Sequence, residues 1–422
     1  MNRMTFLGAA PCNPPMLVPA SRNHDQENTM KTIRIGIYGL WRGASFLGPL
    51  KDMEGVQVAA LCEKEEGRLK YALERAPGAK TCRDYEELLE SGLDAVLLCN
   101  YFPDHAKCAI QAMERGIAVF SECTSAPTLA ECVALVETAE RTGSKYMIAE
   151  NYPFSAAMLE MKRLVDGGSL GRILYAEGEY NHTAPRDELA ALTPGKYHWR
   201  GWLPRTYYLT HTLGPLMHVT GQTPVKVNAF AVHSQVQEQY EFRHNWDAFA
   251  MMNCITDGGA LFRFTGCAAM ASKSGYRFVG ENGSCETGRT LGSQVNLSYH
   301  PWLVPEGGHV SSTYTPSWPT AQAKQAERAG HGGGDFWTVY NFVEYLRGGP
   351  TPFFDVYRGA LMSAVGILAW RSCLENGRTI ALPDFHRKED RDSIRDDALT
   401  PFPDENGRAT LPCAAGKAVN GC

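Results

Sequence analysis

The densest chemical grouping in the chain is a run of hydroxyls around one imidazole, Thr206-Tyr207-Tyr208-Leu209-Thr210-His211-Thr212. A histidine titrates near neutral pH without help. A tyrosine beside a positively charged ring would have its pKa lowered. His211 or Tyr208 is therefore the candidate base, and Tyr207 is a candidate ligand contact beside them. A second grouping, His331-Gly332-Gly333-Gly334-Asp335, places an imidazole and a carboxylate around glycines that let the main chain pass close to a ligand. Asp335 is also a candidate N-cap of the helix whose apolar positions follow it. No two histidines or acids show metal-ligand spacing, so no metal site is expected.

Such groups need rigid elements to aim them. Thr32-Ile33-Arg34-Ile35-Gly36-Ile37-Tyr38 is a β-branched run that ends in Gly39-Leu40-Trp41-Arg42-Gly43-Ala44 and continues into a helical pattern. Strand, glycine turn and helix form the context of a dinucleotide fingerprint, in which small residues let the backbone approach a pyrophosphate. Trp41 stands where the usual second glycine would be and Ala44 where the third would be, unless the turn is one residue shorter. A second strand, Val56 to Leu61, leads to Glu63, placed to bind a ribose diol and to repel a 2′-phosphate, which favours NAD over NADP. Three further strands follow: Asp94 to Leu98, Ile117 to Phe120 and Lys145 to Ala149. They feed Asn100, Tyr101 and His105, then Glu122 and Cys123, then Glu150 and Asn151. In a doubly wound sheet these carboxyl ends face the ligand cleft. The candidate cofactor contacts are thus Gly39, Leu40, Trp41, Arg42, Gly43, Glu63, Asn100, Tyr101, His105, Glu122, Cys123 and Asn151.

From Arg172 the hydrophobic period changes to two. Leu174, Ala176, Gly178 and Tyr180 alternate with polar positions, and similar runs occur at Val225 to His233, Ala248 to Ile255, Ala260 to Ala268 and Gln294 to His300. The expected architecture is an α/β Rossmann domain, a doubly wound parallel sheet, over residues 31–150. An α+β substrate domain with an open, mostly antiparallel sheet follows over 151–390. Residues 1–30, with four prolines and a polar run, are expected to be a disordered leader, with Met30 as a candidate true start; 391–422 are expected to be a loose tail. The 422 residues are 44% hydrophobic and 21% charged, with a net charge of −5, which fits a folded protein with no overall attraction for nucleic acid. Thirteen cysteines scattered singly read as reduced thiols, hence a cytoplasmic location, and no stretch is long enough to span a membrane.

The order of these pieces resembles the Gfo/Idh/MocA oxidoreductase family. Asn100-Tyr101-Phe102-Pro103-Asp104-His105 stands in place of its T-P-N-x-x-H, and Ser121-Glu122-Cys123-Thr124 in place of its C-E-K-P. Glu122 is kept, but Cys123 replaces the family's substrate-contacting lysine. The family's D-x-x-x-H-x-x-D keeps only its histidine, at His211. The Tyr-x-Thr-His-x-Leu-Gly-Pro string, with the His331 to Asp335 segment, instead resembles a branch containing NAD-dependent α-N-acetylgalactosaminidases. The resemblance implies a carbohydrate or glycoside substrate, NAD as cofactor, a homo-oligomer, and catalytic roles for Tyr208 and His211. Tyr152, His182, Trp199, Arg200, Tyr207, His331 and Asp335 become candidate substrate contacts, because aromatic faces suit pyranose C–H groups. Three functions follow as expectations: a sugar oxidoreductase; a glycoside hydrolase or lyase that uses transient ring oxidation; and a non-catalytic dinucleotide sensor, prompted by Trp41 and Cys123.

Overall fold

The computed structural model describes residues 31–269, 273–288, 292–318 and 320–415. The leader 1–30, including Met30, lies outside the described residues.

Six strands, β1 (Ile33–Tyr38), β2 (Val56–Cys62), β3 (Lys80–Cys82), β4 (Ala95–Leu98), β5 (Ala118–Ser121) and β6 (Tyr146–Ile148), form one parallel sheet in the order β3-β2-β1-β4-β5-β6. β4, β5 and β6 are buried along their whole length because helices cover both faces of the sheet, which is why they read as unbroken apolar runs. β1 pairs with both β2 and β4, so the chain reverses direction across the sheet there. The crevice at their carboxyl ends is the usual ligand position in an open α/β sheet.

Nine strands form the second sheet: β7 (Ile173–Asn181), β8 (Pro224–His233), β9 (Asp247–Thr256), β10 (Leu261–Thr265), β11 (Lys273–Gly280), β12 (Gly283–Thr287), β13 (Val295–Tyr299), β14 (Ser311–Tyr314) and β15 (Ile380–Ala381). Their order is β14-β13-β12-β11-β7-β10-β9-β8-β15, antiparallel except where β10 runs beside β7. In β7 the residues Ala176, Gly178 and Tyr180 face inward as the alternation requires. Leu174 is exposed and Ile173 takes its buried place, next to the register shift between Val279 and Gly280 on β11. The helix Val356–Leu374 packs against β8 on one side and the helix Leu129–Thr142 of the parallel sheet on the other, so one core runs through both sheets. Among the described residues no helix is long and apolar enough to cross a membrane.

Residues 391–415 are not loose. Arg395 donates two hydrogen bonds to Glu137 at 2.7 and 2.8 Å, and Arg391 donates to Glu140 at 2.7 Å. The Trp370 indole donates to the Pro412 carbonyl at 2.8 Å, and Phe402 and Ala415 are buried. The basic residues of this segment pair with acids of the helix Leu129–Thr142.

Candidate active site

The glycine turn after β1 is built around two contacts that exclude a side chain. Gly39 has φ 86°, and a Cβ there would lie 2.5 Å from the Cys99 carbonyl oxygen. A Cβ at Gly43 would lie 2.6 Å from Ile37 Cγ2. Gly43, not Ala44, therefore makes the close helix–strand approach, and the turn is one residue shorter than the usual fingerprint. Leu40 donates its backbone N–H to Glu63 Oε2 at 2.7 Å, so the acid at the end of β2 braces the turn. Trp41 is 59% exposed and lies under the Arg68 guanidinium, 4.2 Å from its carbon; it stands at the rim and does not plug the cleft.

A cavity of about 300 Å³ opens at the carboxyl ends of β1, β4 and β5. Trp41, Arg42, Asn100, Tyr101, His105, Glu122, Cys123, Asn151, Trp199, Arg200, Tyr207, Tyr208, His211 and His331 line it, whereas Gly39, Leu40, Gly43 and Glu63 stay in the turn beneath. His105 is locked: its Nδ1 lies 3.0 Å from the Thr124 carbonyl and its Nε2 3.2 Å from the Asn100 carbonyl, joining the loops after β4 and β5. It is a positioning group. The side-chain oxygens of Asn100 and Asn151 are buried at the cavity without a hydrogen-bond partner. Such acceptors require donors from elsewhere, and ribose hydroxyls or a carboxamide would supply them. With the crowded Gly39 and Gly43 cradle and Glu63, these residues fit a nicotinamide dinucleotide.

Facing this wall is a chain of proton-carrying groups. Glu150, at the end of β6 and fully buried, accepts from His211 Nδ1 at 3.0 and 3.1 Å. His211 Nε2 lies 3.1 Å from the Tyr208 hydroxyl. Glu150 also accepts the Tyr152 backbone N–H at 3.1 Å and the Cys123 thiol at 3.4 Å. Burial alone would raise the Glu150 pKa, but the imidazole's charge and hydrogen bond, with the Tyr152 N–H and the thiol, hold it below the ordinary carboxylate range. A carboxylate on Nδ1 fixes the tautomer with the proton on that nitrogen, which leaves Nε2 as an acceptor toward Tyr208. Burial pushes the Tyr208 phenol up, so the hydroxyl keeps its proton and faces the Nε2 acceptor. Burial, reinforced by Glu150 and Glu122, likewise pushes the Cys123 thiol well above its usual range, so a neutral group stands where the family has an ammonium.

Asp335 does not line the cavity. The N-cap of the helix Gly334–Leu346 is Gly333, and Asp335 sits inside its first turn, fully buried. It accepts from both terminal nitrogens of Arg42 at 2.6 and 3.0 Å, from Asn151 Nδ2 at 2.8 Å and from His331 Nδ1 at 3.0 Å. Arg42 also donates from Nε to Glu122 at 2.7 Å, so its guanidinium is committed to a bridge between the glycine turn and the 331–335 loop. These contacts hold Asp335 below the normal carboxylate range against the upward pull of burial. Two other candidates are also displaced from the cavity. His182 is exposed beyond the end of β7, and Tyr152 lies behind the site with its ring 4.4 Å from that of His211. Tyr207 reaches the cavity wall but is buried edge-on between Phe102 and Phe402.

Two residues of the site were given no role from the sequence. Glu150 directly precedes Asn151 at a strand's carboxyl end, which was the available signal. Tyr180, the last inward residue of β7, packs its ring 4.9 Å from His211 and 5.8 Å from Tyr208, and read only as a core position.

Residues 33–150 match the model of an oxidoreductase family with an NAD-binding Rossmann fold. Residues 158–286 match the GFO/IDH/MocA C-terminal domain, and 298–391 the C-terminal domain of glycosyl hydrolase 109. The chain is 27% identical to an α-N-acetylgalactosaminidase of Shewanella oneidensis over 85% of this chain and 86% of that protein. A glycosyl hydrolase family 109 protein of Shewanella baltica gives the same identity and coverage. Among solved structures, an oxidoreductase domain protein from Kribbella flavida superposes with a TM-score of 0.72 at 19% identity, covering 84% of this chain and 100% of that one. A levoglucosan dehydrogenase in complex with NADH and levoglucosan gives 0.71 at 17%, covering 83% and 99%. The chain is an NAD-dependent enzyme, which removes the reading as a non-catalytic sensor.

Proposed function

Because the chain belongs to the Gfo/Idh/MocA family, we propose that it cleaves glycosides through transient oxidation of the sugar ring, with NAD recycled in place. The observation that carries this reading is the Glu150–His211–Tyr208 relay at the cavity, combined with a neutral Cys123 where a lysine would serve a simple dehydrogenase. Held by the Gly39–Gly43 turn, Asn100 and Asn151, a nicotinamide dinucleotide would supply a reversible hydride acceptor for a ring carbinol, and the neighbouring C–H would be acidic while the ring is oxidised.

The chain's own groups handle the protons. Tyr208 receives a proton from a substrate hydroxyl as it passes its own to His211 Nε2, and the buried Glu150 carboxylate stabilises the resulting imidazolium. The same relay returns the proton when the hydride comes back. Asn100 and Asn151 orient the cofactor, while Trp199 and Arg200 bound the sugar side. The acidified C–H loses its proton as the aglycone leaves by elimination and is itself protonated, and water adds to the enone, so the net reaction is hydrolysis without a pair of carboxylates flanking the glycosidic bond. In this reading residues 31–150 hold the dinucleotide and 151–390 present the sugar. The exposed Val232, Ile255 and Leu261 on the outer face of the nine-stranded sheet are where copies of the chain pair.

A net sugar oxidoreductase is the second reading, since the same relay removes a carbinol proton. Purified protein with free sugars and chromogenic glycosides separates the two, with NADH absorbance and aglycone release followed in parallel. Aglycone release at substoichiometric NAD supports the proposal; NADH formed in proportion to substrate, without release, overturns it in favour of the oxidoreductase.

A further inference from the structure

Resting on the reading of the cavity as a sugar site, we infer that its substrate carries an anionic oxygen group, a carboxylate or a sulfate or phosphate ester, held by Arg200 and supported by the charge of Arg243 on the segment packed against the same helix. Arg200 lines the cavity with its guanidinium carbon 4.6 Å from the Trp199 ring, and among the described residues no carboxylate pairs with it. The segment that carries Arg243 is pressed against the helix Trp199–Trp202. The Gly201 carbonyl accepts the backbone N–H groups of His244 and Asn245, both at 2.9 Å, and a Cβ at Gly201 would lie 2.4 Å from the Phe242 carbonyl oxygen.

Arg243 itself is only 7% exposed, and its Nε is buried with no hydrogen-bond partner. The third guanidinium of the group, Arg205, is provided for. It donates to the Asp247 carbonyl at 2.7 Å, to the Cys267 carbonyl at 3.4 Å and to Gln237 Oε1 at 3.4 Å; burial lowers its pKa, against the upward pull of Cys267 and the Asp247 carboxylate. Arg243 makes no such hydrogen bond from its Nε among the described residues. Burial, then the like charge of Arg205, push it down to about 9, and Arg200 adds to the repulsion. The group abuts the relay, since Cys267 donates its backbone N–H to the Tyr208 carbonyl at 2.8 Å.

A guanidinium buried without an acceptor costs several kcal/mol in general. Arg200, half-buried in the cavity wall, and the buried Arg243 on the segment packed against its helix concentrate positive charge there, and the member such a site lacks is an anion. An oxyanion on the substrate would accept from Arg200 and be stabilised by the Arg243 charge in the low dielectric behind it. A neutral glycoside would leave both uncompensated.

The test is calorimetric titration of the NAD-loaded full chain with N-acetylgalactosamine, its sulfate and phosphate monoesters, and the corresponding uronate. At least one anionic sugar is expected to bind about tenfold or more tighter than the neutral parent, with the preference shrinking as salt is raised. Arg243→Met and, independently, Arg200→Met are expected to bring the ratio of anionic to neutral affinity close to one. Arg243→Lys, which keeps the charge but not the fork, guards against a variant that fails to fold. Equal affinity for all the sugars, or a preference that survives the Arg200 and Arg243 variants, overturns the inference. Aglycone release without an anionic preference sinks this inference alone, and an anionic preference without aglycone release sinks only the proposed function.

Discussion

Replacing Glu150 by glutamine tests the relay where its geometry is most specific. Wild-type Glu150 presents only acceptors, and it receives His211 Nδ1, the Tyr152 N–H and the Cys123 thiol. Glutamine is nearly isosteric, but its amide can present N–H to Nδ1. The imidazole then takes the other tautomer, with the proton on Nε2, and can no longer accept from Tyr208. Loss of a charge-assisted bond to His211 removes about 1.5–3 kcal/mol of stabilisation from the imidazolium, about 10- to 100-fold in rate. Loss of the accepting tautomer adds to this, and the penalty for misorienting a triad histidine reaches about 10⁴-fold in serine proteases. We expect kcat for Glu150→Gln to fall by about 10²–10⁴, with NAD affinity within about twofold, because Glu150 does not line the cofactor wall. Steady-state turnover, cofactor titration and a melting curve on the same preparation measure this. Turnover within about threefold of wild type would show that the carboxylate does not set the base.

Asp335→Asn removes the charge that joins Arg42, Asn151 and His331. It should cost about 2–3 kcal/mol in denaturant unfolding, less than a fully buried pair because Arg42 is partly exposed. Gly39→Ala forces a Cβ at positive φ onto the Cys99 carbonyl, and fluorescence titration should show NAD affinity weakened by more than about tenfold. Glu150 and Asp335 both have folded pKa values below their ordinary 4.5 and 3.8. Their contribution to stability is therefore complete above those values and is lost as pH falls below them toward the lowered ones. Wild type should lose stability steeply across that acidic window, and the Glu150→Gln, Asp335→Asn double variant should show a flatter profile there.

The parallel sheet was legible because its buried strands and glycine turn are local patterns: β-branched runs, Gly39 and Gly43, and acids or amides at each strand's end. His211 and Tyr208 stood out because they share one short segment, Tyr-x-Thr-His-x-Leu-Gly-Pro, that resembles the α-N-acetylgalactosaminidase branch. The partner that makes them a relay lies elsewhere in the chain: the pattern puts Glu150 at a strand's carboxyl end, but only the fold brings His211 to it. The same limit explains Asp335. Sequence places it at a helix start, but only the fold brings Arg42 and Asn151 to it and so turns a cap into a bridge. His182 follows the alternation of β7 by one residue, yet the strand ends at Asn181 and the imidazole turns to solvent.

The central claim is that the His211 imidazole moves the proton that accompanies ring oxidation. It is tested most directly by single-turnover chemistry of NAD-loaded His211→Ala on a glycoside that the wild type cleaves. The expected result is a loss of about 10³-fold or more in the chemical step with the NAD dissociation constant essentially unchanged. Turnover near the wild-type rate in that variant would contradict the account.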